Sequence, residues 1–152
     1  MRGMPAWPVF FDGKTMKKTW MCAAGMLVSL HAAAAGLRID QFDHDKLNIQ
    51  GGQCAFEDAG HRNVLSTDWV EVYWLKIDGK MVKLTGTQTD EVIEQQQKAK
   101  IWRQTVTGSG LTLVIDLKET GEGDDAKGYK GTIEVRRGAD RKRIAVTAEC
   151  GA

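Results

Sequence analysis

The chain has 152 residues, 42% of them hydrophobic, and a formal net charge of +1. That is enough apolar material for one domain with a core of its own. Residues 36–152 carry 17 basic against 19 acidic side chains, and a near-neutral domain gives no global reason to expect nucleic acid or an anionic membrane as a partner.

Residues 1–15 come before any ordinary export signal and read as a start-site misassignment, with translation beginning at Met16, or alternatively as the front of a long signal peptide. From there the order is that of a signal peptide. Lys17 and Lys18 supply the charged region, Met21 to Leu30 the apolar region, and Ala33 to Ala35 a small-residue cleavage site before Gly36. The apolar run is shorter than the roughly 20 residues a spanning helix needs. The mature chain, residues 36–152, is therefore expected to be a single periplasmic or secreted β domain with no transmembrane segment. Cys22 is expected to leave with the signal peptide.

The mature chain opens with a polar stretch that suggests a short edge strand near Lys46 to Gln50, followed by a Gly51-Gly52 turn. Gln53 to Glu57 reads as a strand with Cys54 and Phe56 on one face, and Glu57 to Asp68 as a connecting loop. Trp69 to Ile77 is the richest β sequence in the chain. Asp78-Gly79 then separates it from Lys80 to Thr85, and Asp-Gly between apolar runs signals a two-residue hairpin. That turn sets Leu75 opposite Val82 and Tyr73 opposite Leu84 on the core face. It sets Lys76 opposite Met81 and Trp74 opposite Lys83 on the other, the last a cation–π candidate.

Thr89 to Lys100 is the helical candidate, a short surface helix near 90–99 with acidic residues early, lysines late and Glu94 four residues before Lys98. Strand patterns resume at Ile101 to Val106 and, after Gly108-Ser109-Gly110, at Leu111 to Leu117. Beyond a charged, glycine-bearing loop from Glu119 to Gly128 come Tyr129 to Val135 and Arg141 to Cys150, joined by a turn at Arg137 to Asp140. In the last strand Ile144, Val146, Ala148 and Cys150 share one face, as a half-buried strand requires. About eight short strands joined mostly by hairpins predict an all-β fold, a single antiparallel β-barrel or β-sandwich. Cys54 and Cys150 both face inward and are the only cysteines of the mature chain, so they are expected to form a disulfide between its first convincing strand and its last.

Sites are less legible. Arg136, Arg137, Arg141, Lys142 and Arg143 crowd the turn before the last strand. Such charges protect a sheet edge, or they form a docking patch for phosphate or carboxylate groups. Trp74 and Trp102, with Tyr73, are candidates to line a ligand face, against the alternative of core packing. Asp43-His44-Asp45 diverges along an extended segment, and Glu122, Asp124 and Asp125 lack the order of a calcium loop, so no metal site is expected. No nucleophile stands beside a base in sequence, and no cofactor motif occurs, so neither catalytic residues nor a cofactor is expected.

The layout of an exported, disulfide-tied antiparallel β domain is similar to the small periplasmic lysozyme inhibitors. That family carries a serine-glycine pair two residues before a tyrosine, on a loop that enters the enzyme's cleft. Here Ser109-Gly110-Leu111-Thr112 leads to Leu113 rather than tyrosine. The leading expectation is a non-enzymatic binding domain for a protein or an anionic envelope component. The resemblance implies the alternative, an inhibitor of a secreted hydrolase such as lysozyme; third comes an enzyme whose site the sequence hides.

Overall fold

Alternating apolar and polar residues give each strand one side to bury, and in this chain those sides turn inward on one core. A computed structural model describes residues 36–123 and 126–151. The expected signal peptide with Cys22, and Asp124 and Asp125, lie outside the described residues. The strands are β1 (Ile39–Asp40), β2 (Gln53–Glu57), β3 (Asn63–Thr67), β4 (Val72–Ile77), β5 (Lys80–Thr85), β6 (Ile101–Gly108), β7 (Leu111–Glu122), β8 (Ala126–Arg137) and β9 (Asp140–Gly151). One helix, α1 (Asp90–Ala99), separates β5 from β6.

The nine strands form one antiparallel sheet in the order β1-β4-β3-β2-β9-β8-β7-β6, with β5 on the remaining edge of β4. The fold is all-β and barrel-like, but no backbone ladder closes β5 onto β6. Those two strands nevertheless approach where glycines leave room. A Cβ on Gly86 would stand 2.9 Å from Val106, and one on Gly108 3.2 Å from Leu84. Gly131 permits a tighter approach still, since a Cβ there would lie 2.2 Å from the Asp116 carbonyl oxygen. Only glycine fits where β8 lies this close to the β7 backbone.

The β4–β5 hairpin has the register its turn predicts, including Leu75 opposite Val82 and Trp74 opposite Lys83. Asp78 and Gly79 both have positive φ, at 49° and 81°, as a type I′ turn requires. Leu111, Leu113, Ile115 and Leu117 are all buried on β7. The last strand lies in the middle of the sheet, between β2 and β8, and Cys54 sits directly opposite Cys150 with the two joined by a disulfide. Their Cα atoms are 4.0 Å apart.

Four local readings need correction. The segment expected as a loop from Glu119 to Gly128 is mostly strand, since β7 runs to Glu122 and β8 starts at Ala126, its glycines notwithstanding. Asn63–Thr67 is a strand, not loop, because its Ser66 and Thr67 are completely buried polar residues that break the apolar alternation. His44–Leu47 is a 3₁₀ turn capped by Asp43, while the edge strand lies earlier, at Ile39–Asp40. Trp69 to Glu71 is not strand: Asp68 folds it into a tight loop, and β4 begins only at Val72. The helix spans Asp90–Ala99 with Thr89 as its N-cap, buries no residue, and carries a Glu94–Lys98 ion pair at 2.7 Å.

Candidate functional site

Antiparallel connectivity sends alternate connections to opposite ends of the barrel. The β2–β3, β4–β5, β6–β7 and β8–β9 turns share one end, and the β3–β4, β5–β6 and β7–β8 connections share the other.

The basic hairpin belongs to the first end. Arg136 is ion-paired to Glu134 two residues away on the same outer face. The cross-strand neighbours of that face are Arg143 opposite Glu134 and Arg141 opposite Arg136. The Arg136 guanidinium, helped by Arg141 and Arg143, holds the Glu134 carboxyl below the usual carboxylate range. Arg143 donates to Thr132 at 3.2 Å. Arg137 reaches across to the β4–β5 turn and donates to Asp78 at 2.6 Å. Asp78 also accepts the Arg38 backbone N–H at 3.0 Å, and Arg38 pairs with Asp40 at 2.6 Å. Two of the candidate arginines are thus committed to carboxylates of the chain itself. Among the described residues Lys142 makes no hydrogen bond or ion pair.

The two candidate tryptophans lie elsewhere. Trp74 is on the outer face of β4, with the Lys83 ammonium 5.9 Å from its ring centroid. Trp102 is an inward-facing core residue, packed edge to face on Phe56 and Tyr129 at centroid separations of 5.5 and 5.7 Å. The six candidate binding residues therefore do not form one site. Ser109 and Gly110, both at positive φ, make a tight β6–β7 turn, and Leu111 and Leu113 behind them are buried.

Trp102 instead contributes to the second end, where a cavity of about 330 Å³ opens between the β3–β4 loop, α1 and the start of β6. Its apolar walls are Trp69, Val70, Ile93, Ile101, Trp102 and Tyr129. Its floor is fixed by Gln104, whose carbonyl oxygen accepts from Tyr73 Oη at 2.5 Å and from Trp102 Nε1 at 3.2 Å. The Gln104 amide in turn donates to the Gly86 carbonyl at 3.1 Å. Burial pushes the Tyr73 hydroxyl well above its ordinary pKa, so it stays a donor. One wall is α1, held to β6 by Gln96: its carboxamide accepts from Arg103 N at 2.6 Å and donates to Arg103 O at 2.9 Å. That side chain completes an edge that another strand would otherwise pair with.

Trp69 is the residue sequence reasoning missed. It lies in the left-handed region at φ 64°, a conformation bulky residues rarely adopt and that folds tolerate when the surroundings over-determine it. The surroundings here are specific. Asp68 accepts the backbone N–H groups of Val70, Glu71 and Val72 at 3.0, 2.9 and 2.9 Å, and Trp69 N donates to Thr67 Oγ1 at 3.1 Å. Burial pushes the Asp68 carboxyl up, but these backbone donors outweigh it and hold it below the usual range. The loop thereby presents Trp69, 37% exposed, and Val70, 69% exposed, at the rim. The available signal was Asp68 itself, since aspartate that bonds backbone two residues on builds turns.

A second cavity, of about 900 Å³, is a polar trough on the outside of β2, β9 and β8. Glu57, Glu149, Lys130 and His44 line it over a floor that includes Ala55 and Gly128. His44 Nδ1 lies 2.7 Å from Ser66 Oγ, and Ser66 is completely buried. Glu57 contacts the exposed His61 at 3.3 Å. Among the described residues no group of three or more histidine, cysteine, aspartate or glutamate side chains is placed to hold a metal ion, and no helix is long and apolar enough to cross a membrane. No protein-family model, curated protein or solved structure matches the chain.

Proposed function

We propose that this is an exported, non-enzymatic binding domain that takes its partner at the open end of the barrel. The observation that carries this reading is the Asp68 loop, which spends three backbone donors to hold Trp69 and Val70 beside an aromatic-lined cavity. Ligand sites are concave and largely apolar, with a few fixed polar groups, and the mouths of β-barrels are among their usual places. Export is supported by the Lys17-Lys18, apolar and Ala33 to Ala35 series and by the Cys54–Cys150 bridge, since disulfides persist in oxidising compartments. Leu37 is part of the core, which supports a cleavage site before it. Intact-mass analysis of exported protein should give a chain starting at or close to Gly36; one that retains Trp20 would overturn the export reading.

A second reading keeps the hairpin as a docking patch for an anionic envelope component, favoured by Arg141 and Lys142, which make no hydrogen bond or ion pair among the described residues. Envelope extract passed over the wild type, a Trp69→Ala/Val70→Ser variant and an Arg141→Ala/Lys142→Ala variant separates the two. A partner lost only with the first variant supports the mouth. Loss only with the second moves the site to the hairpin, and a partner retained equally by all three removes both.

A further inference from the structure

Resting on the reading of the barrel mouth as the binding end, we infer that its ligand is a saccharide of one or two sugar units. A sugar ring is amphipathic: its C–H face packs on an aromatic plane while its rim of hydroxyls asks for both donors and acceptors. The cavity has that division. Trp69 offers a partly exposed indole at the rim, and Trp102 and Tyr129 stand behind it. The polar positions are mostly carboxamides, and a carboxamide carries two N–H donors and two acceptor lone pairs.

The hydrogen bonds within the protein do not use these groups up. Gln97 lines the cavity and its side chain makes no hydrogen bond among the described residues. Gln88 uses one amide N–H on the Arg103 carbonyl at 2.6 Å, leaving its other N–H and its oxygen. Gln104 keeps one N–H, since its oxygen already accepts twice and its nitrogen donates once, to Gly86. These groups sit on three segments facing the same space, the β5–α1 connection, α1 and β6, so they can meet different hydroxyls of one ring.

Two other ligand classes fit less well. An acyl chain wants a dry wall, and here four glutamines and the Lys127 ammonium interrupt the apolar surface. A quaternary ammonium ligand would find aromatic rings, but among the described residues no carboxylate lines the cavity to meet its charge. At about 330 Å³ the space lies at the lower end of the roughly 300–1,000 Å³ that small-ligand sites occupy.

The test uses the exported protein with neutral and N-acetylated mono- and disaccharides, dodecanoate and choline as probes. Isothermal titration calorimetry measures affinity, and saturation-transfer NMR shows which ligand protons touch the protein. The expected result is saturable binding of a saccharide, strongest transfer to its ring C–H protons, and affinity weakened roughly tenfold or more by Trp69→Ala, the scale of a lost tryptophan anchor. Gln97→Ala, an exposed helix position that fold stability does not need, should weaken the same saccharide by a smaller factor and guards against a Trp69 variant that misfolds. Dodecanoate or choline binding that Trp69→Ala abolishes, with no saccharide bound, overturns the saccharide assignment while leaving the mouth as the site. Saccharide binding indifferent to both substitutions overturns the mouth as its location. Failure of every saccharide to bind overturns the inference.

Discussion

Asp78 and Asp68 each sit in a turn that leads into or out of β4, one at either end of the barrel, and they are used differently. Asp78 takes a guanidinium from the β8–β9 hairpin and a backbone N–H from Arg38, so charge meets charge and the turns bind one another. Asp68 takes three backbone N–H groups of its own loop and no cation. The consequence is a difference in what is left facing outward. At the Asp78 end several charged side chains are answered within the chain, as Asp58 with Arg62 at 2.6 Å also illustrates. At the Asp68 end the carboxylate is consumed by backbone, and Trp69, Val70 and the Gln97 side chain remain for something else.

The comparison can be broken most severely at the disulfide, which ties β2 to β9 near the mouth. Replacing Cys54 and Cys150 with alanine should lower stability by about 2–5 kcal/mol in urea denaturation. Next comes Gln104→Ala, which removes the acceptor shared by the buried Tyr73 hydroxyl and Trp102 N–H; a loss of about 1–3 kcal/mol is expected, read from the same denaturation curves. Asp68→Ala should cost about 1 kcal/mol, the scale of a lost capping side chain, and should speed hydrogen exchange at the Val70, Glu71 and Val72 amides. Because folding lowers the Asp68 pKa from 3.8, its contribution is fully present above about pH 4 and is lost as pH falls through the folded value. Acid titration followed by NMR should therefore loosen the Trp69 loop with Asp68 and leave the alanine variant's loop unaffected. The smallest effect is expected from Arg137→Ala at the other end: that pair is exposed, so its loss should be slight and should vanish in high salt. A large, salt-insensitive loss there would erase the distinction between the ends.

What the sequence disclosed follows from how local each signal is. The Asp78-Gly79 turn dictates register by itself, so every pair of the β4–β5 hairpin is readable in advance. The strict alternation of β7 and β9 fixes their inward faces, and with them the Cys54–Cys150 pairing. Strand β3 was hidden because its inner positions include Thr67 and its outer Ser66 is buried beneath His44; burial of polar residues depends on partners distant in sequence. The mouth was hidden for the same reason. Trp69, Ile93, Trp102 and Tyr129 belong to four separate segments, and only the curl of the sheet gathers them. Likewise nothing local told that Arg137 would be answered by Asp78, 59 residues away.

The bridge also sets an order of events. Cys54 and Cys150 are 96 residues apart, with β3 through β8 between them. Strands β6 to β8 pair only with their sequence neighbours, the short-range topology that forms fastest. β2 has no such shortcut on one side: its partner β9 is the last strand to arrive. In a chain that crosses a membrane from its N-terminus, Cys54 therefore emerges long before Cys150 and waits as a thiol open to oxidants and to wrong partners. In such a chain the pairing of β2 with β9 waits on the last strand, so the Cys54–Cys150 bridge closes only after β9 has emerged.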